Sequence, residues 1–393
     1  MDKIYFDNAS TTQMDPEVLK SMRPYFNESY GNASSLHSLG QKSAEAVESA
    51  KARLADFLQC SPAEVYFTSG ATESNNTVIS GVINYYQEKF DRLHIITSQI
   101  EHPAVLEVVK NLESNKTVEV DYLSVNDSGV IDLKELKQKI KPYTVLVSVM
   151  WANNEVGSVQ PIEKIGQLIE QEKSKRKSDQ PPIYFHSDAV QAVNYLDLSV
   201  KKSEVDFLSL SGHKIYGPKG VGALYIRQGA KIKPLIFGGH QQDNIRPGTL
   251  NTPAIVGLAK AVELIEKNKS KDLPKIKTIK QKLVSGLEKI DQIKFNGDLK
   301  SQLPNIINIS FFKAEGESIL MMLDMEDIYV STGSACSSGT LQPSHVLTAM
   351  GVSPEWSHGS IRISLGRFNS LEEVDIFLQK INPIIKKLRK MAP

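Results

Sequence analysis

Seven short runs rich in β-branched and aromatic residues, at 64–68, 94–98, 118–123, 144–150, 184–188, 206–211 and 221–226, are separated in most cases by stretches with helical spacing. That alternation is the strongest constraint in the chain. Parallel strands need long crossover connections, usually helical, so strands spaced by helices predict an α/β fold whose mostly parallel seven-stranded sheet is buried on both faces. The helical signals are local. Between Leu39 and Leu58, apolar residues at Val47, Ala50, Leu54, Phe57 and Leu58 recur on one side, and Asp15-Pro16-Glu17 reads as an N-cap followed by proline in the first turn. From about Pro253 the rhythm changes to two long helical stretches, strands near 305–310 and 361–365, and a final helix from Leu371. These predict a smaller α/β C-terminal domain.

At 393 residues the chain has room for two or three domains. No segment approaches the roughly 18 consecutive apolar residues of a membrane span. Lys and Arg number 46 against 45 Asp and Glu, a net charge of +1, so no global field draws the chain to nucleic acid or an anionic bilayer. Direct nucleic-acid and membrane binding are therefore not expected, and a small molecule or protein partner is. The charged stretch at 172–177, followed by Pro181-Pro182, reads as a solvated helix end and linker. Two cysteines, Cys60 and Cys336, are too few for a disulfide framework or an unaided metal site, which points to a reducing compartment. The first residues lack the marks of a signal or transit peptide. A cytoplasmic location is expected.

Five polar clusters each follow a predicted strand. Ser69-Gly70-Ala71-Thr72 opens a helical pattern, a layout in which backbone N–H groups and a hydroxyl can hold a phosphate. His102, after the second strand, has the chemistry to stack on a ring and move protons. Asn153-Asn154-Glu155 follows the fourth strand, and Asp188 with Gln191 follows the fifth. A carboxylate there can keep a pyridine nitrogen protonated, with Gln191 near the ring's phenolic oxygen. Ser211, His213 and Lys214 follow the sixth, and a lysine in a desolvated pocket forms Schiff bases with aldehyde cofactors. Because ligands of open α/β sheets bind beyond the carboxyl ends of the strands, one shared crevice explains five clusters better than five separate turns. Elsewhere, Cys336 is surrounded by small residues at 331–340, a stretch expected to be exposed, poorly ordered and rapid in amide exchange. Cys60, at the end of an amphipathic helix, reads as inert packing.

The segments FDNASTT (6–12), YGNASSLHSLG (30–40), FTSGATESNN (67–76), EHPAV (101–105), NNEVGSVQPI (153–162), DAVQ (188–191), SGHKIYGPKG (211–220), RPGT (246–249), STGSACSSGT (331–340), PSHVL (343–347) and IRISLGR (361–367) occur in this order over nearly the whole chain. Together they resemble the cysteine desulfurases of the NifS- and IscS-like branch, pyridoxal phosphate (PLP) enzymes of fold type I within the class-V aminotransferases. The resemblance implies a large PLP-binding domain at 15–260 and a small domain formed by 1–14 and 261–393. It also implies that Lys214 carries the cofactor as a Schiff base, that His102 stacks on its ring and transfers protons, and that Asp188 holds the pyridinium nitrogen. Gln191 and Asn154 would lie near the phenolic oxygen and the substrate, and Ala71, Thr72, Ser211 and His213 at the phosphate. Thr249 matches a threonine that family members supply to the phosphate site of the other subunit, which implies a homodimer. Asn32 and Arg362 match residues that receive the substrate carboxylate, a role suited to the guanidinium fork.

On that reading L-cysteine is the substrate. Cys336 attacks its sulfur as a thiolate, keeps it as a persulfide and releases alanine, and an iron–sulfur scaffold or a tRNA-thiolation relay accepts the sulfur. One segment departs from the family pattern. Where an acidic residue, a basic residue and glycine are usual, this chain has Gln242, Asp243 and Asn244, which puts local dimer contacts or acceptor choice in question. Two other readings remain: a selenocysteine lyase or aminotransferase-like enzyme that does not need Cys336, and a silent scaffold that has kept only the fold.

Overall fold

The computed structural model of the protein describes residues 3–332 and 343–391. Its strands, in chain order, are β1 (Ile4–Tyr5), β2 (Val65–Thr68), β3 (His94–Ser98), β4 (Glu119–Leu123), β5 (Thr144–Ser148), β6 (Tyr184–Asp188), β7 (Phe207–Ser211), β8 (Gly222–Ile226), β9 (Ile293–Asn296), β10 (Ile306–Phe311), β11 (Ile328–Tyr329), β12 (Ser331–Thr332) and β13 (Ser360–Ser364). The seven predicted runs are β2 to β8, with ends within two residues of expectation. They form one sheet in the order β2-β8-β7-β6-β5-β3-β4, all parallel except β8, which runs antiparallel to both neighbours.

Every residue of β3, β5, β6, β7 and β8 is buried, and alternation decides which layer each side chain joins. Ile95, Leu146, Tyr184, Phe207 and Leu224 face one way. They pack with Val78, Ile79, Val82 and Ile83 of the helix Ala71–Tyr86 and with Val105 and Val109 of the helix Pro103–Ser114. Ile96, Val147, Phe185, Leu208 and Tyr225 face the other way, into the larger core with Leu54, Leu58, Ile165, Ile169, Leu258 and Val262. A strand sandwiched in this way cannot slip by one residue without exchanging its two layers, so the register is fixed by burial.

The N-terminal helix signals hold. Asp15 Oδ1 accepts from the Glu17 amide at 2.9 Å, with Pro16 opening the helix Pro16–Met22, and the helix Ser38–Leu58 buries Val47, Ala50, Leu54 and Leu58. The expected pair of long helices after Pro253 is instead one continuous helix, Thr252–Leu287. Pro274 within it removes one backbone donor and usually breaks a helix. Here Leu258, Val262 and Ile265 before it and Ile276, Ile279 and Leu283 after it are buried in the same core, which holds both halves in line.

The C-terminal strands form an antiparallel sheet, β12-β13-β10-β9, while β1 pairs in parallel with β11. β10 and β13 are the strands expected near 305–310 and 361–365. Between the seven-stranded and four-stranded sheets run residues 7–12. Asp7 bridges to Ser364 on one side, and on the other the Thr12 amide donates to the His213 carbonyl at 2.8 Å. Among the described residues no helix is long and apolar enough to cross a membrane.

Candidate active site

β2, β3, β5, β6 and β7 point the same way, and the segment after each one reaches the same cavity. It has a volume of about 640 Å³, a size suited to a small organic group, and lies at the carboxyl edge of the sheet. Of the residues singled out in the sequence, Ala71, Thr72, His102, Asn154, Asp188, Gln191, Ser211, His213, Lys214 and Arg362 line it. Thr249 and Asn32 do not line it in their own chain and are exposed; Asn32 Oδ1 accepts from the Ser34 amide at 2.9 Å. Cys336 and its small-residue stretch lie outside the described residues. Cys60 is far from this chemistry, half-buried against the larger core, with its thiol pushed up to about 12 by burial.

At one end of the cavity, Gly70 N-caps the helix Ala71–Tyr86, whose first-turn N–H groups have no intrahelical acceptor. The approach there is close. A Cβ on Gly222 of β8 would meet the Gly70 Cα at 2.7 Å, so the loop sits directly on the strand because position 222 has no side chain. Glu73 braces the loop: its Oε2 accepts from the Ser69 amide at 2.7 Å and its Oε1 from Arg246 Nε at 2.8 Å. Thr72, Ser211 and His213 add polar side chains around this end. Burial, with Lys214 and Lys219 nearby, pushes the His213 imidazole down to about 4, and its Nδ1 lies 3.1 Å from Thr11 Oγ1.

Deeper, Asp188 is buried at the end of β6. Its Oδ2 accepts from Asn75 Nδ2 at 2.7 Å and its Oδ1 from the Val190 amide at 3.1 Å. Gln191 Nε2 donates to the Ala9 carbonyl at 3.0 Å, and Lys214 Nζ donates to the carbonyls of Ala9 at 2.6 Å and Ser10 at 2.7 Å. His102 is the N-cap of the helix Pro103–Ser114, its Nδ1 accepting from the Ala104 amide at 3.1 Å. Burial holds its imidazole below the ordinary value; Asp188 opposes this, and Lys214 and His345 add to it. The lowering favours the neutral imidazole, in keeping with Nδ1 accepting from the Ala104 amide.

Arg362 on β13 is 2% exposed. Its two terminal nitrogens donate to the Asn154 carbonyl at 2.9 Å, to Asp7 Oδ1 at 2.9 Å and to Ser10 Oγ at 2.6 Å. Beside it Glu155, buried under the same rim, accepts from Ser344 Oγ. Burial pushes the Glu155 carboxyl up to about 7, although Ser344 and Arg362 pull the other way. Glu101, also fully buried, accepts from Ser98 Oγ at 2.6 Å and the Met150 amide at 2.8 Å, and burial pushes it up to about 8. Its carbonyl lies 3.0 Å from His345 Nε2.

Asp7, Ser10, Asn75 and Glu101 carry no role in the sequence reading, although each stands in a quoted motif. A usable signal existed for Asn75, which follows Ala71 by four residues and so shares its helix face. For Asp7 and Ser10 there was only their place in the FDNASTT segment.

A phosphate cradle, a buried carboxylate and a lysine in one cavity fit PLP: the first matches its ester, the second its ring nitrogen and the third its aldehyde. A parallel sheet with such a cleft defines a PLP enzyme of fold type I. Residues 4–377 match the Aminotransferase class-V family. The chain is 45% identical over 390 residues to "Cysteine desulfurase IscS" of Methanosarcina thermophila, which covers 99% of this chain and 94% of that protein. Among solved structures it resembles a "NifS-like protein" at a TM-score of 0.91 and 40% identity, covering 98% of this chain and 100% of the other. A second, "SspA in complex with cysteine", superimposes at a TM-score of 0.82 with 36% identity over 94% of this chain and 100% of its own. The chain belongs to the class-V aminotransferases, on their cysteine desulfurase branch.

Proposed function

We propose that this chain removes sulfur from L-cysteine with PLP bound in the sheet-edge cavity, releasing L-alanine and retaining the sulfur on Cys336. The observation that carries this reading is the convergence of Lys214, Asp188, His102 and Arg362 on one cavity whose rim also adjoins both flanks of the Cys336 stretch. On one flank Ser331 pairs with Arg362 across β12 and β13; on the other, Ser344 bonds to Glu155 and His345 to the Glu101 carbonyl.

Bound there, PLP supplies an electrophilic carbonyl carbon for amino groups and a ring that draws electron density from the substrate's α-carbon. The chain supplies the rest. Ala71, Thr72, Ser211 and His213 hold the phosphate, Asp188 the ring nitrogen, and Gln191 and Asn154 the side of the phenolic oxygen. Lys214 provides the amine, which the carbonyls of Ala9 and Ser10 orient. Arg362 receives the substrate carboxylate, and His102, whose imidazole is held below its ordinary value by burial, moves protons at the ring face. The substrate's Cβ–Sγ bond breaks, its sulfur becomes the outer atom of a persulfide on Cys336, and Cβ takes up the proton that makes the product alanine.

Thr249 is exposed and away from its own chain's cavity, which supports its service to the cavity of a second copy in a homodimer. The sulfur acceptor is an iron–sulfur scaffold or another sulfur-accepting protein, and the location is cytoplasmic. The division into a large domain at 15–260 and a small one at 1–14 and 261–393 is supported by the separation of the seven-stranded sheet from the four-stranded sheet and the β1–β11 pair, with the helix Thr252–Leu287 running across the boundary.

The test is the absorption spectrum of the purified protein, followed by alanine and sulfide production from L-cysteine in wild type and Cys336→Ala. A PLP chromophore with alanine formed only when Cys336 is present is the expected result. Alanine that ignores Cys336 overturns this reading in favour of a lyase, and a protein that PLP cannot colour overturns it in favour of a scaffold.

A further inference from the structure

Asn75 is fully buried one turn into the helix Ala71–Tyr86, where its Nδ2 donates to Asp188 Oδ2 at 2.7 Å. Its other polar atom, Oδ1, is buried with no hydrogen-bond partner among the described residues. An orphaned amide oxygen carries the full desolvation cost of that group, and leucine, close in volume, would avoid it. Packing therefore does not explain an asparagine at this position. Its N–H group does.

The charge type matters too. A lysine or arginine here would pair with Asp188 and cancel the charge that a protonated ring nitrogen needs, while a second carboxylate would compete for a proton. A neutral amide donor orients the carboxylate and leaves its charge uncancelled. With Asn75 on Oδ2 and the Val190 amide on Oδ1, both oxygens are held from the protein side.

We propose that Asn75 is a positioning residue for the cofactor, acting through Asp188 by fixing that carboxylate toward the ring nitrogen. This rests on the reading that Asp188 holds the ring nitrogen. Asn75 comes from the helix whose first turn cradles the phosphate, so one element sets both the ester end of the cofactor and, through a single amide, its opposite face.

The experiment is a double-mutant cycle on the full-length, PLP-loaded protein with Asn75→Leu, Asp188→Asn and the two combined. Two quantities are read: the pH midpoint of the bound chromophore and the PLP dissociation constant. Loss of one hydrogen bond to a charged group predicts about tenfold weaker PLP binding and a displaced midpoint for Asn75→Leu. In the Asp188→Asn background the same change is expected to add less than about twofold. Equal effects in both backgrounds mean a general packing role and overturn the proposal. An inert Asn75→Leu beside an effective Asp188→Asn overturns it while leaving the Asp188 reading intact; an inert Asp188→Asn removes both. If Asn75→Leu does not fold, the near-isosteric Asn75→Asp carries the test. Two carboxylates at this spacing share a proton and add a second step to the chromophore titration, and a single unshifted step overturns the proposal.

Discussion

Replacing Gln242 by alanine strips three hydrogen bonds from the edge of the large sheet next to the phosphate cradle. Among the described residues β2 has a partner strand only on the β8 side, so the N–H and C=O of Phe67 face outward. The Gln242 carboxamide takes the place of a missing strand. Its Oε1 accepts from the Phe67 amide at 2.6 Å, and its Nε2 donates to the carbonyls of Phe67 at 2.9 Å and Arg246 at 3.2 Å. Orphaning the buried Phe67 N–H costs about 1–3 kcal/mol, and the two carbonyls lose about 1 kcal/mol between them because water can partly replace the amide. Gln242 sits at φ 48°, followed by Asp243 at 57° and Asn244 at 63°, so alanine inherits the left-handed strain while glycine relieves about 1 kcal/mol of it. Amide exchange followed by mass spectrometry reads the local opening directly. The Phe67 amide should exchange about 5- to 150-fold faster in Gln242→Ala, less so in Gln242→Gly, and at the wild-type rate in the exposed control Asp243→Ala. Since Arg246 and Glu73 couple this segment to Ser69, PLP affinity should fall as well. Unchanged Phe67 exchange in Gln242→Ala, or equal acceleration in Asp243→Ala, would refute the edge-sealing argument.

Glu155 makes stability depend on pH. Its carboxyl rises from 4.5 to about 7 on folding. Below pH 4.5 both states hold the proton, between 4.5 and 7 the unfolded state releases it first, and above 7 folding bears a cost of about 3 kcal/mol. The denaturation midpoint of Glu155→Gln should therefore gain on wild type as pH rises from 4.5 to 7; a constant gap would refute this. Gly222→Ala places a Cβ at 2.5 Å from the Leu210 carbonyl and 2.7 Å from the Gly70 Cα. The cradle must shift, at a cost of about 1–3 kcal/mol, and PLP binding measured by dialysis should weaken; undiminished binding would refute the close-approach argument. Asp7→Ala removes the only carboxylate paired with the buried Arg362 among the described residues. The KM for L-cysteine should rise more than kcat falls, and Asp7→Asn, which still accepts a hydrogen bond, should recover part of the loss; equal loss of both parameters would refute a role in carboxylate recognition.

Five of the seven strands of the large sheet, β3 and β5 to β8, were readable because each is buried on both faces, and the edge strands β2 and β4 from their β-branched and aromatic residues. Such strands are rich in apolar and β-branched residues, and their carboxyl ends, where polar residues gather, are the places a ligand reaches. β9, β11 and β12 were not readable. They are two to four residues long, too short for a local periodicity to mark them, and β11 pairs with β1 at the opposite end of the chain. The helix Thr252–Leu287 runs on through Pro274 for a related reason: the local cost of the proline is real, but the buried residues on either side of it outweigh that cost once the core is assembled.

The site divides along the same line. Lysine, aspartate, histidine and the hydroxyl-rich loop announce their chemistry by type and by position after a strand, so sequence alone determined the fold class, the cofactor chemistry and most of the residues that meet in the cavity. The supporting partners were decided by the tertiary structure. Asn75 reaches Asp188 across 113 positions, and Asp7 reaches Arg362 across 355. A side chain's own chemistry is written in its identity, whereas the group it holds in place is set by which distant backbones folding brings within about 3 Å, a distance at which hydrogen bonds form and beyond which they fall away steeply.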